Sequence, residues 1–67
     1  MIKICLNGED FECETQVTIN QLLDKLGLDK RTIAIERNLE IVPKSMWDEI
    51  LLFADDRIEL VQFVGGG

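Results

Sequence analysis

One stretch of this chain carries a complete helix start and stop. Thr18 stands as N-cap, Gln21 three residues on closes a capping box, and Val17 against Leu22 makes a hydrophobic staple. Ile19, Leu22, Leu23 and Leu26 then fall at i, i+3, i+4 and i+7, one apolar stripe with Asn20, Asp24 and Lys25 facing water. Gly27 ends the helix at C′, and Leu28 folds back on Leu23 in the manner of a Schellman stop. A single stripe needs one apolar sheet face to cover it, which predicts a helix layered on a sheet. Each marked residue is a core or cap residue, so the helix has no chemical role.

The sheet begins with Met1 to Leu6, where Ile2, Ile4 and Leu6 alternate with Lys3 and Cys5. Asn7-Gly8 supplies the positive backbone angles of a type I′ turn and so fixes a register. Leu6 meets Glu9, Ile4 meets Phe11 and Ile2 meets Cys13 inside, while Lys3 meets Glu12 outside as an opposite-charge pair. Cys5 then lies outside and Cys13 inside, which predicts two free thiols, both structural. Beyond the charged link Asp29-Lys30-Arg31, Thr32 to Glu36 reads as a third strand and Glu40-Ile41-Val42 as a short fourth, joined by a turn at Arg37-Asn38-Leu39 and stopped by Pro43. Lys44 to Trp47 forms a helical turn, with Met46 and Trp47 covering an end of the core. Glu49 to Ala54 has no clean period and reads as irregular. Asp55-Asp56 offers too few oxygens for a metal and reads as a turn.

Arg57 to Val64 is the last strand, and both its faces are apolar: Ile58 and Leu60 on one, Val61 and Phe63 on the other. Two arrangements fit. A β-bulge near Leu60-Val61 turns some of these side chains inward, or Val61, Phe63 and Val64 form an exposed docking patch. The strand runs into Gly65-Gly66-Gly67. A glycine run has no side chains to catch in a narrow channel, so the carboxylate of Gly67 can be threaded into a partner's active site.

Charge and composition narrow the function. Thirteen acids against seven bases give the 67 residues a net charge of −6, which argues against nucleic acid and for an electropositive protein partner. A chain of this length buries about 60% of its unfolded surface in one modest core. No apolar run approaches the roughly 20 residues that cross a bilayer, and a strand beginning at Met1 is no signal peptide, which predicts a cytoplasmic protein without a membrane partner. With no histidine and two cysteines, the usual acid-base, nucleophilic and zinc constellations are absent, so the chain is expected to have no catalytic residues and no metal of its own. Gly67 is left as the one reactive site.

Hairpin, helix, short strand pair and final strand give a ββαββ order, that of the α+β β-grasp or ubiquitin-like fold, a mixed sheet packed on one helix with the last strand central beside the first. Within that order the chain closely resembles the ThiS family of sulfur carriers of thiamin thiazole biosynthesis. The resemblance rests on Asn7-Gly8-Glu9; on Thr18-Ile19 leading to Leu22-Leu23 and Leu26-Gly27; on Ile41-Val42-Pro43-Lys44 with Trp47; and on Asp56-Arg57-Ile58-Glu59 through Gly65-Gly66-Gly67. Two departures are Asp55-Asp56-Arg57, where the family tends to have Asp-Gly-Asp, and a third terminal glycine where two suffice.

The resemblance implies a β-grasp domain over residues 1–64 and a flexible tail, Gly65 to Gly67. It implies that an E1-like adenylating enzyme activates the Gly67 carboxylate with its own ATP and Mg²⁺. A cysteine-derived persulfide then supplies sulfur to form a thiocarboxylate, and thiazole synthase takes that sulfur. The chain itself is then no enzyme, binds no cofactor, and is a monomer when free. The small subunit of molybdopterin synthase and ubiquitin-like protein modifiers share the fold and tail, and a β-grasp binding module shares the fold alone.

Overall fold

The computed structural model describes residues 1–63; Val64 and the three terminal glycines lie outside the described residues. Strands β1 (Ile2–Leu6) and β2 (Glu9–Cys13) form the hairpin, followed by α1 (Ile19–Leu26), β3 (Ile33–Arg37), the two-residue β4 (Glu40–Ile41) and β5 (Arg57–Gln62). The sheet order is β2-β1-β5-β3-β4, so the last strand lies centrally, parallel to β1 and antiparallel to β3. This is the β-grasp arrangement.

The hairpin register is the one Asn7-Gly8 dictates, with Ile2, Lys3, Ile4 and Leu6 opposite Cys13, Glu12, Phe11 and Glu9. Asn7 (φ 48°) and Gly8 (φ 84°) are both left-handed, as a type I′ turn requires. Lys3 faces Glu12 across the ladder, but its ammonium lies nearer Asp10, at 3.7 Å. Cys13 is buried and Cys5 half-buried on the opposite face, and both are free.

Helix α1 starts and stops as its sequence demands. The Thr18 hydroxyl accepts from the Gln21 amide at 3.1 Å, while Gln21 Oε1 accepts from the Thr18 amide at 2.9 Å. At the other end Gly27 is left-handed, with its amide on Asp24 O and the Leu28 amide on Leu23 O, the paired bonds of a Schellman motif. Ile19, Leu22 and Leu23 are buried against Ile4, Ile35 and Ile58 of the sheet. Trp47 closes one end of this core and donates its indole N–H to Val42 O at 3.1 Å. Met46, expected beside it in the core, is exposed: the 3₁₀ turn Lys44–Met46 carries it outward and leaves Trp47 alone as the lid.

Of two further segments, the first is irregular as its sequence reads and the second differs from its sequence reading. Residues 49–54 are irregular but pinned to the start of α1, with Ile50 O accepting from the Ile19 amide, the Leu52 amide donating to Val17 O, and a bridge between Thr18 and Leu51. β3 begins at Ile33 because Asp29 Oδ1 accepts from the Arg31 amide and draws Lys30–Thr32 into a 3₁₀ turn.

In the turn before β5 the left-handed residue is Asp55 (φ 70°), which puts the glycine-favouring position one residue earlier than the Asp55-Asp56-Arg57 correspondence has it. Asp56 is more than a turn former. It is 6% exposed and its carboxylate accepts from the Phe53 amide at 2.9 Å, Arg37 Nε at 3.0 Å and Asn38 Nδ2 at 3.2 Å. Burial alone would raise the carboxyl of Asp56, but the bonds from Phe53, Arg37 and Asn38 outweigh it and hold the group below its ordinary value. The signal was present in the sequence: Arg37 falls in phase with the buried Ile33 and Ile35, and an arginine on an inner face needs an anion.

Candidate functional site

The site expected at the end of the chain is approached through β5, and the fold holds that strand from both sides. On one side β3 pairs with it without interruption, Arg37 opposite Ile58 through Ile33 opposite Gln62, and the Phe63 amide extends the ladder to Thr32 O at 2.7 Å. On the other side β1 covers only its first two residues, Cys5 opposite Arg57 and Leu6 opposite Ile58. There Asn7 takes over: its backbone amide donates to Ile58 O at 2.9 Å and its side-chain oxygen accepts from the Leu60 amide at 2.8 Å. The turn that sets the hairpin register thus also fastens the strand leading to the tail.

The unbroken register decides between the two arrangements for Val61 and Phe63. With no bulge the side chains alternate, so Ile58 is buried and Leu60 half-buried on the helix side, while Val61 (50% exposed) and Phe63 (60% exposed) lie on the other side. Both are therefore on the surface at the approach to the tail. Of the remaining residues expected at the site, Val64, Gly65, Gly66 and Gly67 fall outside the described residues.

An apolar residue that sequence reading passed over joins this face. Ile41 of β4 stands opposite Glu36 of β3 and is 74% exposed. It was legible as the odd member of Glu40-Ile41-Val42, since only Val42 can share the inner phase. Among the described residues no three His, Cys, Asp or Glu side chains are grouped as a metal site. Nor, among them, is any helix long and apolar enough to cross a membrane.

A β-grasp domain whose pinned central strand leads directly into a glycine run is the class of protein that fold and sequence define together. Residues 4–67 match the ThiS family model. The chain belongs to the ThiS family. It is 41% identical over 63 residues to the sulfur carrier protein ThiS of Bacillus subtilis, covering 92% of this chain and 96% of that protein. It is also 44% identical over 66 residues to a thiazole synthase of Paramagnetospirillum magneticum, covering 98% of this chain but 20% of that longer protein. Among solved structures, a thiamine biosynthesis protein (ThiS) from Geobacter metallireducens superposes with a TM-score of 0.85 at 22% identity, over 98% of this chain and all of that one.

Proposed function

We propose that this chain is the sulfur carrier of thiamin thiazole formation, a protein co-substrate of other enzymes working in the cytoplasm, with Gly67 as the residue that bears the sulfur. The observation that carries the reading is that the family match runs through the glycines to residue 67, on a body matching a named sulfur carrier along nearly its whole length. Residues 1–64 act as the folded handle and Gly65 to Gly67 as the part that enters a partner.

A carboxylate is a poor electrophile. An E1-like enzyme, using its own ATP and Mg²⁺, joins the Gly67 carboxylate to AMP and releases pyrophosphate, which gives the carbonyl a good leaving group. The terminal sulfur of a cysteine-derived persulfide attacks that carbonyl and AMP departs. A second thiol then cleaves the sulfur–sulfur bond, forming a disulfide and leaving a thiocarboxylate on Gly67. Thiazole synthase uses that sulfur. Relatives named thiazole synthase in which a stretch like this chain makes up a fifth of the length support that partner, since carrier and consumer then share one polypeptide. Holding a carbonyl in line with its attacker is where tethered geometry contributes most, and β5 supplies the fixed end of the tether.

Intact-mass spectrometry after incubation with the adenylating enzyme, ATP-Mg²⁺ and a sulfur source tests the reading. The expected product is heavier by the difference between one sulfur and one oxygen at the C-terminus. A chain lacking Gly66 and Gly67 should fold normally and gain nothing. An unchanged mass of the full chain with an enzyme shown to be competent on another carrier would overturn the assignment.

A further inference from the structure

In a chain where acids outnumber bases, three of the seven basic side chains line one groove beside α1. It encloses about 220 Å³ between the helix and the 3₁₀ turns Lys30–Thr32 and Lys44–Met46, and is lined by Lys30, Arg31 and Lys44 with Asn20, Trp47 and Asp48. Arg31 binds Asp29 through Nε at 3.1 Å and Nη2 at 3.0 Å, and the Lys30 ammonium lies 2.6 Å from Asp24. Neither pairing uses up the donors, since an ammonium has three N–H groups and a guanidinium five. Lys44 has no ion-pair partner among the described residues and sits over the Trp47 ring, 5.7 Å from its centroid. Hydrogen bonds from Arg31 hold the Asp29 carboxyl down to about 2 and the charge of Lys44 adds to the pull, so cations from both turns converge. Asp48, the one acid in the lining, accepts from Asn20 Nδ2. The core needs none of these charges, and the sulfur transfer described above does not use them.

We propose that this groove is the seat of the chain's own C-terminal carboxylate, which rests on Lys44 and the remaining donors of Lys30 and Arg31 while no partner holds it. The inference rests on the sulfur-carrier reading, in which Gly67 ends the working chain. Its occupant follows from reach and charge. The Phe63 amide lies 2.7 Å from Thr32 O, and Thr32 is the chain neighbour of Arg31. Val64 to Gly67 span at most about 14 Å however they run, and so short a tether presents its anion to the groove at an effective concentration of about millimolar or more. Three glycines put no side chain between that anion and the cations. A free anion, or the tail of a second copy, has no such advantage and must approach against a net charge of −6. A thiocarboxylate is an anion of the same reach, so one seat serves the terminus before and after it takes up sulfur. A partner then has to draw the terminus out before acting on it.

The test compares amide and indole NMR spectra of the free chain, with no enzyme present, with those of the same chain ending in a carboxamide. Removing that one charge should shift the Trp47 indole and the amides of Lys30, Arg31 and Lys44, and leave the β1–β2 hairpin unmoved. In Lys44→Gln the same exchange should shift the Lys30 and Arg31 amides and the Trp47 indole at most about half as much, the coupling expected of groups in contact. Salt at about 0.5 M should erase the difference between acid and amide. The shifts should not depend on protein concentration; shifts that grow with it would put the tail of a second copy in the groove and overturn the intramolecular seat. Groove signals indifferent to the terminal charge, or a response unaltered by Lys44→Gln, would overturn the proposal outright. Because no partner takes part, any of these failures leaves the carrier reading to be judged by its own mass measurement.

Discussion

The two tight turns that flank β5 are built alike and end differently. Asn7-Gly8 joins β1 to β2 and Asn38-Leu39 joins β3 to β4, and all four residues have positive φ, at 48°, 84°, 51° and 72°. In both, the asparagine side chain reaches across to β5: Asn7 Oδ1 takes the Leu60 amide at 2.8 Å and Asn38 Oδ1 takes the Arg57 amide at 2.9 Å. The central strand is thus caught from opposite sides by the same device. The second positions differ. Gly8 is at no steric cost there, whereas Leu39 holds a left-handed conformation while 72% exposed, with no burial to offset the strain. A second difference lies behind the asparagines: only Asn38 is backed by a buried anion, Asp56, which Arg37 also grips. One turn is held by its backbone preference, and the other by side chains that compensate for a poor one.

That contrast fixes the order of the expected effects. Asp56→Ala should be the most damaging, costing about 3 kcal/mol by stranding Arg37 and the Phe53 amide, a fall in thermal midpoint of about 15 °C for a domain of this size. Its pH signature is specific. The Asp56 carboxyl is held below its ordinary 3.8, so its contribution is present above that value and is lost as pH falls through the folded-state value. The stability gap between parent and Asp56→Ala, measured by denaturant melts, should therefore be full at pH 7 and close below about pH 4; a gap independent of pH would break the picture. Next, Asn38→Ala should cost about 1 kcal/mol more than Asn7→Ala, because it loses the bond to Asp56 as well as the one to β5. Equal losses would mean that the two turns are equivalent after all. Smallest is the exchange of the second positions: Leu39→Gly should gain about 0.5 kcal/mol net of chain entropy, and Gly8→Leu should lose at least as much. A Cβ at Gly8 would meet nothing within 4 Å, so that loss would report backbone strain alone.

The same contrast explains what could be read in advance. Asn7-Gly8 announces its turn and hence the register, and Thr18, Gln21 and Gly27 announce the helix, because each satisfies a local rule with a local partner. Asn38-Leu39 was legible as a turn, but a leucine gives no hint of its left-handed geometry, and the role of Asp56 depends on Arg37 nineteen residues earlier. Residues 49–54 have no period because a single bridge, Thr18 to Leu51, and two flanking backbone bonds define them. At the site, the phase of β5 predicted which side chains share a face. It could not say whether Val61 and Phe63 were covered, since that depends on whether the ladder with β3 breaks, and it does not.

The central position of β5 has a mechanical side. Its hydrogen bonds to β1, Asn7, β3 and Thr32 all lie across the strand. A pull along the strand toward the tail loads these bonds together, in shear, and cannot open them one at a time like a zip. On the proposed carrier reading, a partner drawing on the glycines would meet a body that resists being unravelled from that end.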